Sequence, residues 1–366
     1  MMSNSETVAP AWTVPDPDAA GIENLIGRLS EHDADVDMAG TWSEPLWRLL
    51  LEAGATLWSL PTEQGGQGLA RPLMIQRFAQ VASGSLTAAF IMSQHEAAVK
   101  RLAAAGDRPA ARRWLDRIRA KEAFATVGIS QLTTSRRLGA QALTAIETSP
   151  GQYLLKGAMP WVTGAERADL FVTGALMEDG RQLLIALPAD RAGVTVRPSF
   201  ELASLQASCT AEVTLGEVQV DDSDLLTDPN AEISSQPGAV GTAGLETSAL
   251  ALGQAQAAVA ALRQLSAAKT ELLLPSARFE ARWSECFGSL LACARGDLNS
   301  CDPLELREQS NDLVCRSTQA FLLARKGSGF VRSEPAQRWA RQALFFLVWS
   351  CPPSLVQEAI GNLAGA

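Results

Sequence analysis

The chain has little with which to bind a metal or cross-link itself. Histidine occurs twice, at His32 and His95, and six cysteines stand at positions 209, 286, 293, 301, 315 and 351 with no CxxC pair. Most of these cysteines fall in the last third of the chain, on stretches that read as helix. The spacing argues against a zinc site or a disulfide frame and predicts reduced, packed thiols in an intracellular, cytoplasmic protein. No apolar run is long enough to cross a bilayer, which takes about 20 residues; Ala343 to Trp349 is too short. The N-terminal stretch is polar and Pro-rich and lacks the basic start and apolar run of a signal peptide. Basic excess is also missing: 31 Lys and Arg against 40 Asp and Glu leave a net charge of −9. That balance speaks against a nucleic-acid partner and against an anionic membrane surface.

What is present suits a large globular protein. Across 366 residues, 47% are hydrophobic and 19% charged, enough for two or three packed units. Residues 1–20 read as a flexible tail. Residues 21–123 form an N-terminal helical domain, with helices at about Pro72–Ala82, Leu86–Ala105 and Pro109–Lys121. Near Phe124 the period changes. Seven short apolar segments broken by Gly, Pro and Asp predict a β-domain over 124–228, an antiparallel barrel or sandwich. Residues 229–366 return to long Ala- and Leu-rich helices, an antiparallel C-terminal bundle. The fold class is therefore α+β in the order helices, β-domain, helices.

One stretch organises the chemistry. Gly157 to Val172 reads GAMPWVTGAERADLFV, with apolar runs on both sides of a Thr-Gly turn. The pattern predicts two antiparallel strands meeting at a tight bend. Trp161 and Thr163, two residues apart, would leave the same face of the strand. An indole beside a hydroxyl gives a planar heterocycle a wall and a donor. The same residues also suit a core Trp and a turn Thr.

The order of elements and four motifs resemble the acyl-CoA dehydrogenase family. Leu60-Pro61…Gly65-Gly66…Gly68-Leu69 is similar to its VPxxxGGxGL loop. Lys156-Gly157…Trp161-Val162-Thr163-Gly164-Ala165…Ala168-Asp169 resembles NGxKxWITNG…AD, and Ser208-Cys209-Thr210 with the following strand resembles S-x-T…V-x-F-x-x-V-x-V. Gly327-Ser328-Gly329-Phe330…Pro335…Arg338…Arg341-Gln342-Ala343 looks like GGxGY…P…R…RDA. The resemblance implies FAD held between the β-domain and the bundle, with Trp161 and Thr163 against the flavin ring. It implies an acyl-thioester substrate, an electron-transfer partner, and a homodimer or homotetramer in which a second subunit completes the cofactor site.

The departures fall on the chemistry. In place of TEPxxGSD stands Gly128-Ile129-Ser130-Gln131-Leu132-Thr133-Thr134-Ser135-Arg136-Arg137. Ser130 keeps a hydroxyl for the flavin. Ser135 stands in the family's Gly-Ser turn, and Arg136 is suited to a diphosphate, although a solvated basic turn fits the two arginines as well. RxxFG…Q is absent, with Lys269 to Pro275 in its place. Gly327 and Gly329 could let backbone amides approach a dinucleotide, or serve a helix-to-helix turn. The family's catalytic Glu of YEGT is Ser350 here. Its second location aligns with Ala243, so Glu246, nearly one helical turn on, is the candidate base; a Glu favoured at a helix N-terminus reads equally well. Leu86, Phe90 and His95 lie on a helix that faces the substrate in the family, where plain core residues would also fit. Three functions follow: a FAD-dependent acyl-thioester dehydrogenase with a non-standard base, a flavin-dependent monooxygenase on the same fold, and a catalytically silent homologue that binds a thioester or a protein partner.

Overall fold

The computed structural model describes residues 12–132, 143–229, 244–297, 302–349 and 353–364. Five helices come first: α1 Ala19–Ala39, α2 Glu44–Glu52, α3 Arg71–Gly84, α4 Leu86–Ala104 and α5 Pro109–Arg119. Their starts follow local chemistry. Ser43 caps α2 by accepting from Leu46 N, Pro72 sits in the first turn of α3, and Ser85 caps α4 by accepting from Ala88 N. Helix α3 is buried almost all round, so its sequence shows no polar face.

Seven strands follow: β1 Ala125–Gly128, β2 Thr144–Ser149, β3 Gln152–Val162, β4 Leu170–Met177, β5 Gln182–Pro188, β6 Val194–Val196 and β7 Ala211–Asp221. They form one curled sheet in the order β1-β4-β2-β3-β7-β6, with β5 on the other edge of β4. The sheet is mixed, because β1 and β2 both run parallel to β4. The two strands flanking the Trp-Thr stretch do not form the expected hairpin. Strand β3 pairs with β2 and β7, whereas β4 pairs with β1, β2 and β5. Residues after Val162 make a turn instead of a hairpin bend, and that turn carries the chain across the curl to a different partner.

The C-terminal helices are α6 Leu245–Ser266, α7 Leu273–Ala294, α8 Pro303–Arg325, α9 Pro335–Ala343 and α10 Pro353–Ala364. After α9 the backbone tightens to a 3-10 turn, Leu344–Leu347, where the sequence pattern runs a helix on to Ser350. Four bulky apolar residues in succession cannot all face one core: Phe346 is buried and Leu344 half-exposed.

Helices before and after the sheet share one core that includes Phe78, Leu250, Phe287 and Leu313. The tightest crossing sets α6 on α3. A Cβ on Gly253 would lie 2.0 Å from Ala79 O, so only glycine allows this approach. A second core lies between α4, α5 and the sheet, and a third lies within the curl of the sheet.

The described end of the expected flexible tail is anchored. Trp12 packs edge-on against Trp283 and Phe287, and the Asp16 carboxylate, 4% exposed, pairs with Arg77 at 2.6 Å. Thiol chemistry departs from expectation as well. Cys209, Cys286 and Cys315 are free, but Cys293 is disulfide-bonded, with its partner outside the described residues.

Candidate functional site

Antiparallel pairing of β3 with β7 sets Val162 opposite Ala211 and so brings two of the sequence motifs together. Thr163, buried just past the end of β3, has its Oγ1 3.4 Å from Thr210 Oγ1, which lies 2.9 Å from Ser208 Oγ. Gly164 N donates to Ser208 O at 2.8 Å and ties the two turns. Three hydroxyls thus converge at one end of the sheet. Trp161 stands beside them at 53% exposure, tilted on Phe200 at 4.6 Å. It is not a core Trp. The two side chains also differ in burial, because the strand ends between them and Thr163 no longer follows its alternation.

Strand β1 ends at the same place. A Cβ on Gly128 would meet Met159 Sδ at 2.6 Å and Val162, so β1 lies directly on the last residues of β3. Ser130 opens the 3-10 turn that follows, Ser130–Leu132, which packs against β3. The buried Gln131 holds this turn by donating to Gly128 O at 2.9 Å and Gly174 O at 3.0 Å. Asp169, the acid of the AD pair, accepts from Phe124 N at 2.8 Å and fixes the entry to β1. Ser135, Arg136, Ala243 and Ser350 lie outside the described residues.

Other expected site residues are placed elsewhere. Gly327 and Gly329 lie in a 3-10 turn, Lys326–Phe330, that packs against α8 and α9. Gly329 is buried, and a Cβ there would meet Arg325 Cβ at 2.5 Å and Ala336 Cβ at 3.2 Å; its missing side chain serves that packing. His95 is a core residue. It is 1% exposed, its Nδ1 lies 2.9 Å from Ala125 O, and its ring stacks on Phe124 and meets Trp47 edge-on. Burial pulls its pKa down to about 4, against the backbone hydrogen bonds that act the other way. The imidazole joins α4 to β1 inside the core, the plain-core placement that the sequence also allowed. Leu86 and Phe90 are also buried, and Phe90 meets Phe345 at 4.8 Å and Trp349 at 5.0 Å.

Glu246 lies in the first turn of α6 and is 8% exposed. Arg71 grips both its oxygens, at 2.6 and 3.0 Å, and Lys100 donates to Oε1 at 2.9 Å. Lys100 also reaches Glu96, 3.4 Å away. Burial opposes ionisation of Glu246, but the Lys100 charge and the Arg71 hydrogen bonds override it and hold the carboxyl well below the usual range. A base needs a free lone pair and a proton affinity near the working pH. Arg71 and Lys100 engage both oxygens of Glu246 and depress its proton affinity, so the structure presents it as an ion-pair anchor. Burial pushes Glu96, its neighbour in the network, the opposite way, above the usual range.

Sequence reasoning also missed the partners of the C-terminal motif arginines. Arg338 pairs with the buried Asp33 at 2.7 Å, and Arg341 pairs with Asp37 one turn along α1. Ser85 Oγ donates to the same Asp33 at 2.7 Å. These arginines clamp α9 to α1. Beside them a cavity of about 270 Å³ is lined by Asp37, Ser204, Gln206, Arg332 and Arg341 among others; none of the expected site residues lines it.

The geometry agrees with what the chain resembles among known proteins. The family model of the acyl-CoA dehydrogenase N-terminal domain matches residues 25–122. Benzylmalonyl-CoA dehydrogenase of Aromatoleum aromaticum is 26% identical over 257 residues, 69% of this chain and 68% of that protein. Butyryl-CoA dehydrogenase from Megasphaera elsdenii superposes with a TM-score of 0.81 at 16% identity, covering 97% of this chain and all of that one. Dibenzothiophene monooxygenase from a Paenibacillus species, in complex with FMN and indole, gives 0.79 at 16% identity over 93% of this chain and 95% of its own. Residues 25–122 thus match the acyl-CoA dehydrogenase N-terminal domain, and the fold as a whole is that of the acyl-CoA dehydrogenases.

Proposed function

We propose that this protein is a flavin-dependent oxidoreductase, with FAD as its cofactor and an acyl-thioester as its substrate. The observation that carries the reading is the hydroxyl trio of Thr163, Ser208 and Thr210 beside the half-exposed Trp161. Such a donor set suits a planar, polar-edged ring: the indole offers a flat wall and the hydroxyls can turn to the ring's polar rim. Ser130 adds a hydroxyl from the end of β1, and Ser135 and Arg136 remain the proposed partners of the diphosphate. A bound flavin would supply a two-electron acceptor. The chain's own residues orient the ring and cover one face of it.

Glu246 does not serve as the base in this reading; locked by Arg71 and Lys100, it holds the start of α6 in place. That geometry favours a second reading, oxygen-dependent monooxygenation, which needs no carboxylate to take a proton from carbon. Dehydrogenation requires an electron-transfer partner as acceptor, and monooxygenation requires molecular oxygen.

The visible spectrum of the purified protein is the first test. The flavin bands should be present or appear on adding FAD or FMN. Bleaching by an acyl-CoA without oxygen would then select dehydrogenation, and substrate-dependent oxygen uptake the second reading. Trp161→Ala should stay folded, because the side chain is already half in water, and should weaken flavin binding about tenfold or more, since stacking a heterocycle on an aromatic is worth roughly 1–3 kcal/mol. A protein that stays colourless with both flavins would overturn the proposal in favour of a silent binding homologue.

A further inference from the structure

We propose that the ring cluster Phe90–Phe345–Trp349 is a binding face for a planar aromatic group. As a statement about substrate class it rests on the oxidoreductase reading; as a statement about binding it does not. Phe345 and Trp349 stack at 4.9 Å with their planes 18° apart. Phe90, 5% exposed, forms the floor, with its ring edge-on to both at 4.8 and 5.0 Å. The two upper rings are only partly buried, and Leu344 and Val348, which flank Phe345 and Trp349 in the chain, are 50% and 76% exposed. A patch of this kind gains by being covered with something apolar.

The segment is built rigid. Arg307, itself 1% exposed, donates to Trp349 O at 2.7 Å, and the buried Asn311 donates to Phe346 O at 3.0 Å. Helix α8 thus uses two buried polar side chains to hold the backbone that carries the rings. A face fixed before binding loses little freedom when a ligand arrives.

Ring chemistry then chooses the ligand. The partly buried stacked pair keeps ring surface that a third flat ring can cover, and aromatic contact adds to plain burial by an amount a saturated group of equal size does not gain. The face should therefore prefer a phenyl, indole or fused-ring group over an alkyl chain.

Calorimetric titration of the purified full chain tests this with indole, and with benzyl alcohol against cyclohexylmethanol. Indole should bind, and benzyl alcohol should bind more tightly than its saturated counterpart. Trp349→Leu should weaken indole binding by about tenfold, in line with loss of one stacking partner. Trp349→Phe should restore most of it, and Trp339→Leu, which alters a partly buried Trp packed on Phe321 in the same bundle, should change nothing. Should Trp349→Leu fail to fold, Phe345→Leu makes the same test. No indole binding at millimolar concentration, binding indifferent to Trp349 and Phe345, or equal affinity for the phenyl and cyclohexyl alcohols would each overturn the inference. The two proposals fail separately. A colourless protein with Trp349-dependent indole binding sinks the flavin reading alone, whereas a yellow protein without that binding sinks this one alone.

Discussion

Glu246 shows how one residue's role turns on its partners. On a helix in water it would be an ordinary carboxylate; between Arg71 and Lys100 it is a buried, fully ionised anchor. Removing one member of a buried ion pair costs about 3–5 kcal/mol, because the other charges stay behind unpaired. Glu246→Gln should therefore lower the urea midpoint sharply, with or without any effect on turnover. The pH dependence has a definite sign. The folded-state pKa lies below the unfolded value, so Glu246 stabilises the fold above the usual Glu pKa and that stabilisation is lost as pH falls. The variant should lose part of the acid limb of the stability curve. A Glu246→Gln protein as stable as wild type at pH 7, yet unable to exchange the α-proton of an acyl-CoA, would restore Glu246 as the base.

Among the elements, the crossing of α3 and α6 bears most directly on the shape of the helical core. Gly253 lets the α6 backbone touch the backbone of α3 at Ala79, and the ion pair of Arg71 with Glu246 closes the same two helices at their first turns. Contact at backbone distance leaves no room for a side chain to adjust. Gly253→Val should cost about 1–3 kcal/mol or more by overpacking and should lower the melting temperature, as differential scanning calorimetry would record. An unchanged melting temperature would mean that the helices can slide apart freely. Strand and helix positions were legible in the sequence, because the switch from period 3.6 to period 2 at Phe124 is set by local patterning. Strand partners were not. β3 and β4 are neighbours in the chain but not in the sheet, and β4 takes two parallel partners that no hairpin rule anticipates.

Across the whole molecule, helices that precede and follow the sheet in the chain pack into one shared core. No described helix is long and apolar enough to cross a membrane. The outer face of the bundle nevertheless shows large apolar side chains, with Leu323 and Phe330 each 77% exposed. Such residues are costly to leave wet and suit a subunit contact. Light scattering should give a mass two or four times 38.9 kDa, and Leu323→Glu with Phe330→Glu should reduce it to that of one chain. A wild-type monomer would exclude the homodimer and the homotetramer alike.

The sequence by itself determined the order of helices, strands and helices and the seven strand segments, because these depend on short-range periodicity and turn chemistry. Tertiary structure decided what each polar side chain faces. Arg71 and Lys100 are 175 and 146 residues from Glu246, and Asp33 is 305 from Arg338. Nothing in local composition ties such residues together. His95 fits a substrate-facing or a core position until its contacts with Phe124 and Ala125 place it in the core. Trp161 fits a ring wall or a core position until its exposure separates the two. Burial and charge partners set the chemistry of an ionisable group, and both are properties of the packed chain.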